Sequence, residues 1–478
     1  MSSASSAKQN SSKPDMQVSF ERLKELSRQS PYPSETLRRQ LLENLKRSIR
    51  DFELPLLAAL QQDFGSRSPA ESRLIELVPL FGEIKHALKH LSKWMRPSRR
   101  SVHITSLPAR AKVVYQPKGL VGVISPWNYP VFLSLGPIVG AIAAGNRVML
   151  KVSEFCPATN EVLTKILTSA FDNDWVQVIE GEAEVANKFS QLAFDHLLFT
   201  GSTNVGRMVM KNAAENLTPV TLELGGKSPL LMTPSADIED AANKLVFAKL
   251  LNAGQTCVAP DYVLCHEAQK EKLIEQIKLA VKRLYPQGIA SPDYTSIINE
   301  RQLARLQGYL EQAKKAGADC ENVMPQGPET LDGKLAMHVL HQMEDDLEVM
   351  QDEIFGPILP IKTYLKLSEA YQFIKQRPRP LAMYLFTQNT ADDTVCEQQV
   401  VSGGLVINHA LIHVAQPDLP FGGIGDSGLG AYHAEEGFRT FSHQKAVLRK
   451  SGWNGLVLIT PPYKGKIHQL IERFWPYF

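Results

Sequence analysis

At roughly 150 residues per domain, a chain of 478 residues has room for about three domains and a large core, which excludes a peptide or a small disulfide-stapled module. Hydrophobic residues make up 44% and charged residues 21%, the balance of a soluble globular protein and not of a disordered chain or a membrane bundle. Lys and Arg total 52 against 50 Asp and Glu, so a net charge of +2 gives no electrostatic case for nucleic acid or an acidic membrane.

Residues 1–16 carry six serines and no apolar segment, and are expected to form a mobile tail and not a secretory signal. Over residues 20–64, Leu23, Leu26, Leu37, Leu41, Leu42, Leu45 and Ile49 recur at helical spacing, predicting amphipathic helices broken near Pro31 and Pro33. A second helical stretch over 71–94 leads into Arg96, Arg99 and Arg100, a solvated face or a subunit contact. Residues 102–115 then alternate in strand fashion around Pro108. Beyond Gly119 the pattern changes to short apolar runs at 120–124, 148–150, 175–179 and 196–200, separated by helical segments, which implies βαβ units and a parallel sheet. The longest apolar run, 131–145, falls short of the ~20 residues a membrane span requires and reads as a buried helix. After Lys227 a second series follows, with strands near 229–232 and 262–265 and a helix over 267–284, so two tandem α/β domains are the simplest account. The glycine-rich stretch 420–430 reads as loop, and 453–478 suggests no clear element. Five cysteines without metal-ligand spacing read as reduced thiols of a cytoplasmic protein.

Several short segments can carry chemistry. Cys257, in Asn-Ala-Gly-Gln-Thr-Cys after a helical run, is a candidate nucleophile, although a free cysteine is more often a small buried hydrophobe. Glu223 closes an apolar strand before Gly225 and Gly226; it can act as a general base, cap the turn or pair with Lys227. Asn128, in Pro-Trp-Asn-Tyr-Pro after a buried strand, can donate to an oxyanion or satisfy a Pro-bounded turn. Gly201 and Ser202 lie where a strand gives way to a helix, either a pyrophosphate site or an ordinary cap. Lys151 and Glu154 follow another strand and can hold a ribose or form a solvated ion pair.

Taken in order, PWNYP, GNRVMLKVSE, FTGSTNVGR, LELGGKSP, NAGQTCVAP, EIFGP and PFGGIGDSGLG resemble the aldehyde dehydrogenase superfamily over about residues 20–450. The wording around Cys257 and Glu223 is most similar to its class 3 branch, particularly bacterial coniferyl-aldehyde dehydrogenases. The resemblance implies an α/β fold: a Rossmann-like NAD-binding domain (17–100 and 118–224), a catalytic α/β domain (225–405), a bridging or oligomerisation element (101–117 and 406–450) and a C-terminal tail (451–478). It also implies Cys257 as nucleophile, Glu223 as general base and Asn128 as oxyanion donor. Lys151 and Glu154 would grip the adenosine ribose, Gly201 and Ser202 the pyrophosphate, and Glu353 with Phe355 the nicotinamide ribose. An aldehyde would then become a cysteine thiohemiacetal, lose hydride to NAD, and leave as a carboxylic acid after hydrolysis of the thioester, without a metal. Glu154 favours NAD because a carboxylate repels a 2′-phosphate, although NADP is accepted in this branch. A homodimer, no nucleic-acid partner and no membrane span are expected, with Trp453, Phe474, Trp475 and Phe478 packing. Aromatic aldehydes are the first expectation and medium or long aliphatic ones the second. An acylating or reductive relative is disfavoured by Glu223, and a non-catalytic scaffold by the joint presence of Cys257, Glu223, Asn128 and Glu353. His409 departs from relatives, which more often carry a small or acidic residue at that expected pocket rim.

Overall fold

Residues 15–103, 106–324, 327–450, 452, 460, 461, 463 and 465–474 are described in the computed structural model. The apolar runs after Gly119 become five parallel strands whose spatial order is Val220–Leu224, His196–Gly201, Leu120–Ile124, Arg147–Lys151, Val176–Ile179. Leu120–Ile124 and Arg147–Lys151 are buried along their whole length, because helices cover both faces of the sheet, and that is why they read as unbroken apolar runs. The strand order reverses between Leu120–Ile124 and His196–Gly201, and the carboxyl ends of strands flanking such a switch point open a crevice. The two-residue strand Gly428–Leu429 adds to this sheet antiparallel to Val220–Leu224.

A second sheet of seven strands runs in the order Asp319–Asn322, His338–His341, Ile358–Tyr364, Tyr262–His266, Pro229–Met232, Ala382–Phe386, Gly404–Ile407, parallel except at its first pair. The third sheet is an antiparallel ribbon of Ser98–Arg100, Ala109–Pro117 and Ser442–Lys450. A helical layer, Met16–Gln29, Glu35–Asp51, Glu53–Phe64 and Val78–Met95, contributes to the cores around the first sheet.

Four expectations shift. The strand foreseen over 102–115 begins only at Ala109 and runs to Pro117, because Pro108 has no N–H to give a ladder and stands before the strand instead of inside it; its antiparallel neighbour Ser98–Arg100 precedes the expected range. The expected helix over 267–284 opens with a tight turn at Glu267–Gln269, so its α-helical part is Lys270–Leu284. The first helix begins at Met16, the last residue of the expected tail, because the Asp15 carboxylate caps it by accepting from the N–H groups of Gln17 and Val18; residues 1–14 lie outside the described residues. Phe474, expected to pack, is exposed on the helix Lys466–Phe474, while Trp453, Trp475 and Phe478 lie outside the described residues. Among the described residues no helix is long and apolar enough to cross a membrane.

Candidate active site

Two cavities meet at Cys257. One, of about 270 Å³, opens at the switch point of the first sheet and is walled by Asn128, Gly201, Ser202, Glu223, Glu353 and Phe355 as well as Cys257. The other, of about 380 Å³, also reaches Cys257 and is largely apolar, with Phe132, Leu133, Phe247, Leu251 and Leu411 in its wall. Lys151 and Glu154 line neither cavity.

The loop that delivers Cys257 is held in a conformation side chains rarely adopt. The helix Ile238–Leu250 ends, and Asn252, Ala253 and Gly254 follow with φ of 51°, 53° and 78°. Three left-handed residues in a row persist only where the surroundings over-determine them. Here the Asn252 side-chain amide donates to the carbonyls of Asn128 and Gln255, each at 3.1 Å, and the Gln255 amide donates to the carbonyls of Asn252 and Ser296. The Asn252 N–H donates to the half-buried Glu71 carboxylate at 3.1 Å. Gly254 is required: a Cβ there would lie 2.4 Å from the Gly356 carbonyl oxygen. Asn128 joins the same network by donating from Nδ2 to the Gln255 carbonyl at 3.2 Å, and the second hydrogen of that amide is left over for a ligand.

Burial pushes the Cys257 thiol up to about 12, helped by Glu353 and then Glu223, against the pull of the backbone N–H groups of Cys257 and Val258. Glu223 is buried at the penultimate position of its strand, and neither of its oxygens has a hydrogen-bond partner among the described residues, so desolvation holds its pKa well above the carboxylate range. It does not pair with Lys227. That ammonium instead binds the Asp261 carboxylate and the carbonyls of Val349 and Asp352. Glu353 is pushed up to about 8 by burial, with Asp261 adding to the effect. Its carboxylate presses so closely on Gly225 that a Cβ there would sit 1.9 Å from Oε2. Phe355, with φ of 51°, meets Trp127 edge to face at 5.3 Å.

Orphaned buried polar atoms mark the first cavity as a site for a polar ligand: Thr200 Oγ1, both Glu223 oxygens and Glu353 Oε1 lack partners among the described residues. Ser202 caps the helix Thr203–Ala214, whose free N–H groups and dipole suit a pyrophosphate. These residues fit a dinucleotide. Lys151 is buried at the carboxyl end of the neighbouring strand, 3.7 Å from Glu154, and donates to the Val152 carbonyl.

The family model described as "Aldehyde dehydrogenase family" matches residues 22–447. A "Probable coniferyl aldehyde dehydrogenase" of Pseudomonas aeruginosa is 48% identical over 93% of both chains. The chain belongs to the aldehyde dehydrogenase family. Among solved structures, the substrate-bound state of AldH from Staphylococcus aureus superposes with a TM-score of 0.91 at 37% identity, covering 97% of this chain and 100% of that one. A Mycobacterium tuberculosis aldehyde dehydrogenase complexed with NAD+ gives 0.81 at 26% identity, over 91% and 90% of the two chains. The fold is therefore that of an NAD(P)-dependent, aldehyde-oxidising enzyme.

In and around the aldehyde dehydrogenase site stand residues that the sequence alone did not single out. Lys249, eight positions before the cysteine, is fully buried, its ammonium has no hydrogen-bond partner among the described residues, and burial brings its pKa down to about 8. Arg305 and Gln302 wall the first cavity, and Arg305 donates to the Ile354 carbonyl at 2.8 Å, clamping the EIFGP turn. Glu83, Tyr432 and His433 stand in the wall of the apolar cavity. His409 does not: its ring bonds its own neighbour, Ala410, so the pocket rim is made without it.

Proposed function

We propose that this chain oxidises aromatic aldehydes of the coniferyl type to their carboxylic acids, with Cys257 as nucleophile, Asn128 as oxyanion donor and Glu223 as the base for hydrolysis. The observation that carries this reading is the position of the Cys257 thiol, shared by a cavity that holds the unpartnered Glu223 and Glu353 carboxyl groups and by a second, largely apolar one. An aldehyde entering from the apolar side presents its carbonyl carbon to Sγ. The thiol proton leaves, the C–S bond forms, and the carbonyl electron pair becomes an oxyanion that the free Asn128 hydrogen and the Cys257 N–H can hold. NAD(P), when bound, accepts the hydride that this carbon gives up. The resulting thioester is attacked by water whose proton passes to Glu223, a base with no competing partner, and the acid departs as the thiol is restored.

Of the two cofactors we favour NAD, since the Glu154 carboxylate beside Lys151 repels a 2′-phosphate. Gly201 and Ser202 would carry the pyrophosphate, Lys151 and Glu154 the adenosine ribose, and Glu353 and Phe355 the nicotinamide ribose. The division into domains at 118, 225 and 406, a homodimeric assembly and a cytoplasmic location belong to the same proposal. Coniferyl specificity draws support from the Pseudomonas relative. A long aliphatic or polyene aldehyde is the second reading, favoured by a Staphylococcus aureus relative named 4,4'-diaponeurosporen-aldehyde dehydrogenase, 40% identical over 92% of this chain and 95% of that one.

Steady-state NAD reduction with coniferyl aldehyde, benzaldehyde, hexanal and a long-chain aldehyde tests the assignment. Aromatic preference is expected, and an aliphatic preference would replace the substrate while leaving the chemistry. Cys257→Ala should reduce no cofactor. Glu223→Gln should give a burst close to one NADH per active site followed by turnover at least about 100-fold slower, as loss of a general base predicts. A full steady state in Glu223→Gln would remove Glu223 from the hydrolytic step.

A further inference from the structure

The wall of the apolar cavity carries one polar patch, and its arrangement is specific. Glu83, Tyr432 and His433 are all buried there; His433 Nδ1 lies 3.3 Å from Glu83 Oε1, and Glu83 Oε1, His433 Nε2 and Tyr432 Oη all have no hydrogen-bond partner among the described residues. The imidazole is fixed by its neighbours. It stacks on Phe421 at 5.1 Å and 17°, meets Tyr432 edge-on at 4.4 Å and Phe132 edge-on at 5.8 Å. Its backbone has φ of 112°, and Ala434 follows at 43°, so two consecutive non-glycine residues hold left-handed conformations to keep the ring there.

Buried polar atoms left unpaired beside apolar walls are costly, and a ligand that satisfies them recovers that cost on binding. Burial keeps the imidazole neutral, its pKa down at about 3, and pushes the Glu83 carboxyl up to about 8. Two proton arrangements follow. With the hydrogen on Nδ1, facing the Glu83 carboxylate, Nε2 is an acceptor; with the hydrogen on Glu83 and a bare Nδ1 facing it, Nε2–H is a donor. A hydroxyl group, donor and acceptor at once, fits Nε2 in both states. An ether oxygen fits only one, and a C–H bond fits neither.

We propose that His433, faced by the Glu83 carboxyl group and assisted by the Tyr432 hydroxyl, reads a hydroxyl group on the aldehyde substrate and thereby selects phenolic over unsubstituted aromatic aldehydes. The inference rests on the aromatic-aldehyde reading above and adds to it the residues that recognise the ring substituent. A site built to hydrogen-bond a substrate hydroxyl rejects the analogue lacking it far more strongly than an apolar pocket can, because the site's own groups are then left unpaired.

The test is the ratio of kcat/KM for 4-hydroxycinnamaldehyde to that for cinnamaldehyde, measured in wild type, His433→Phe and Glu83→Gln. Each ratio is taken within one preparation, so partial loss of folded enzyme cancels, and the intrinsic reactivity of the two aldehydes is common to all three proteins. The expected result is a fall of tenfold or more in His433→Phe and of several-fold in Glu83→Gln; the second variant carries the test alone if the first does not fold. A ratio within twofold of wild type in the variants obtained would overturn the proposal. Hexanal is run alongside: if it outranks cinnamaldehyde in wild type, the aromatic reading fails, and that outcome is read from a different pair of substrates than the hydroxyl ratio.

Discussion

Cys257 sits in an environment that opposes its ionisation, and this sets how the free enzyme responds to pH. Burial is the largest cause, followed by Glu353 and Glu223, and together they bring the thiol to about 12. A raised thiol pKa means that thiolate is scarce at neutral pH and grows about tenfold per pH unit until that pKa is reached. Alkylation of cofactor-free enzyme by iodoacetamide should therefore accelerate steadily between pH 7 and pH 10 without a plateau, followed as loss of activity against time. Glu353→Gln removes the larger of the two carboxylate contributions. Because Glu353 itself is pushed up to about 8, its negative charge is present mainly above that pH, and the variant should be alkylated several-fold faster than wild type at pH 9 while differing little at pH 7. Slower alkylation of Glu353→Gln at pH 9 would mean that Glu353 takes the thiol proton and does not merely repel the thiolate.

At the scale of elements, the site is built where three turns press closely on one another, and glycine is what lets them approach. The EIFGP turn lies on the loop before Cys257 through Gly254 and Gly356, and on the strand end after Glu223 through Gly225 and Glu353. Neighbouring glycines differ sharply in consequence. Ala at 225 would put Cβ 1.9 Å from the Glu353 carboxylate, whereas at 226 the nearest atom is 3.5 Å away. Gly225→Ala should therefore displace the flexible Glu353 side chain into the cofactor-side cavity. The expected outcome is a KM for NAD raised tenfold or more with a thermal midpoint close to wild type, while Gly226→Ala stays within a few-fold of wild type in both. Gly254→Ala should behave differently again. Its obstacle is the Gly356 carbonyl, which cannot swing aside, and the position needs φ of 78°, so a loss of stability beyond the 1–3 kcal/mol of left-handed strain is expected in urea denaturation.

Over the whole molecule, what could be read in advance was what is local in the chain. The strands after Gly119 were legible because burial on both faces leaves unbroken apolar runs, and Asn128, Gly201, Glu223, Cys257 and Glu353 stood out because glycines, prolines and polar residues crowd around each of them. The polar patch of the second cavity was not, since Glu83 and His433 are each one charged or polar residue among many and only the fold brings them together. Glu76 was hidden for the same reason, and it ties the helical layer to the site. Fully buried in a wide π-type turn, Arg73–Leu77, its Oε1 lies 3.0 Å from the buried Arg67 guanidinium, and its Oε2 accepts from the N–H groups of Val131 and Phe132 at 2.8 and 2.9 Å. Those are the donors left free where the helix Phe132–Ala144 begins, directly after the turn that carries Asn128. Arg67 in turn lies over the rings of Phe64 and Tyr129, and Tyr129 bonds Thr256, next to Cys257. Removing one member of a buried ion pair strands the other's charge, a cost of about 3–5 kcal/mol, whereas replacing both by apolar groups costs much less. Glu76→Leu should thus lower the urea midpoint by that equivalent, and Arg67→Met/Glu76→Leu should regain part of it. The double variant still lacks an acceptor for the Val131 and Phe132 N–H groups, so its kcat/KM per folded molecule should stay depressed after stability is regained. Full activity in the double variant would show that the pair holds the fold without positioning the Asn128 turn.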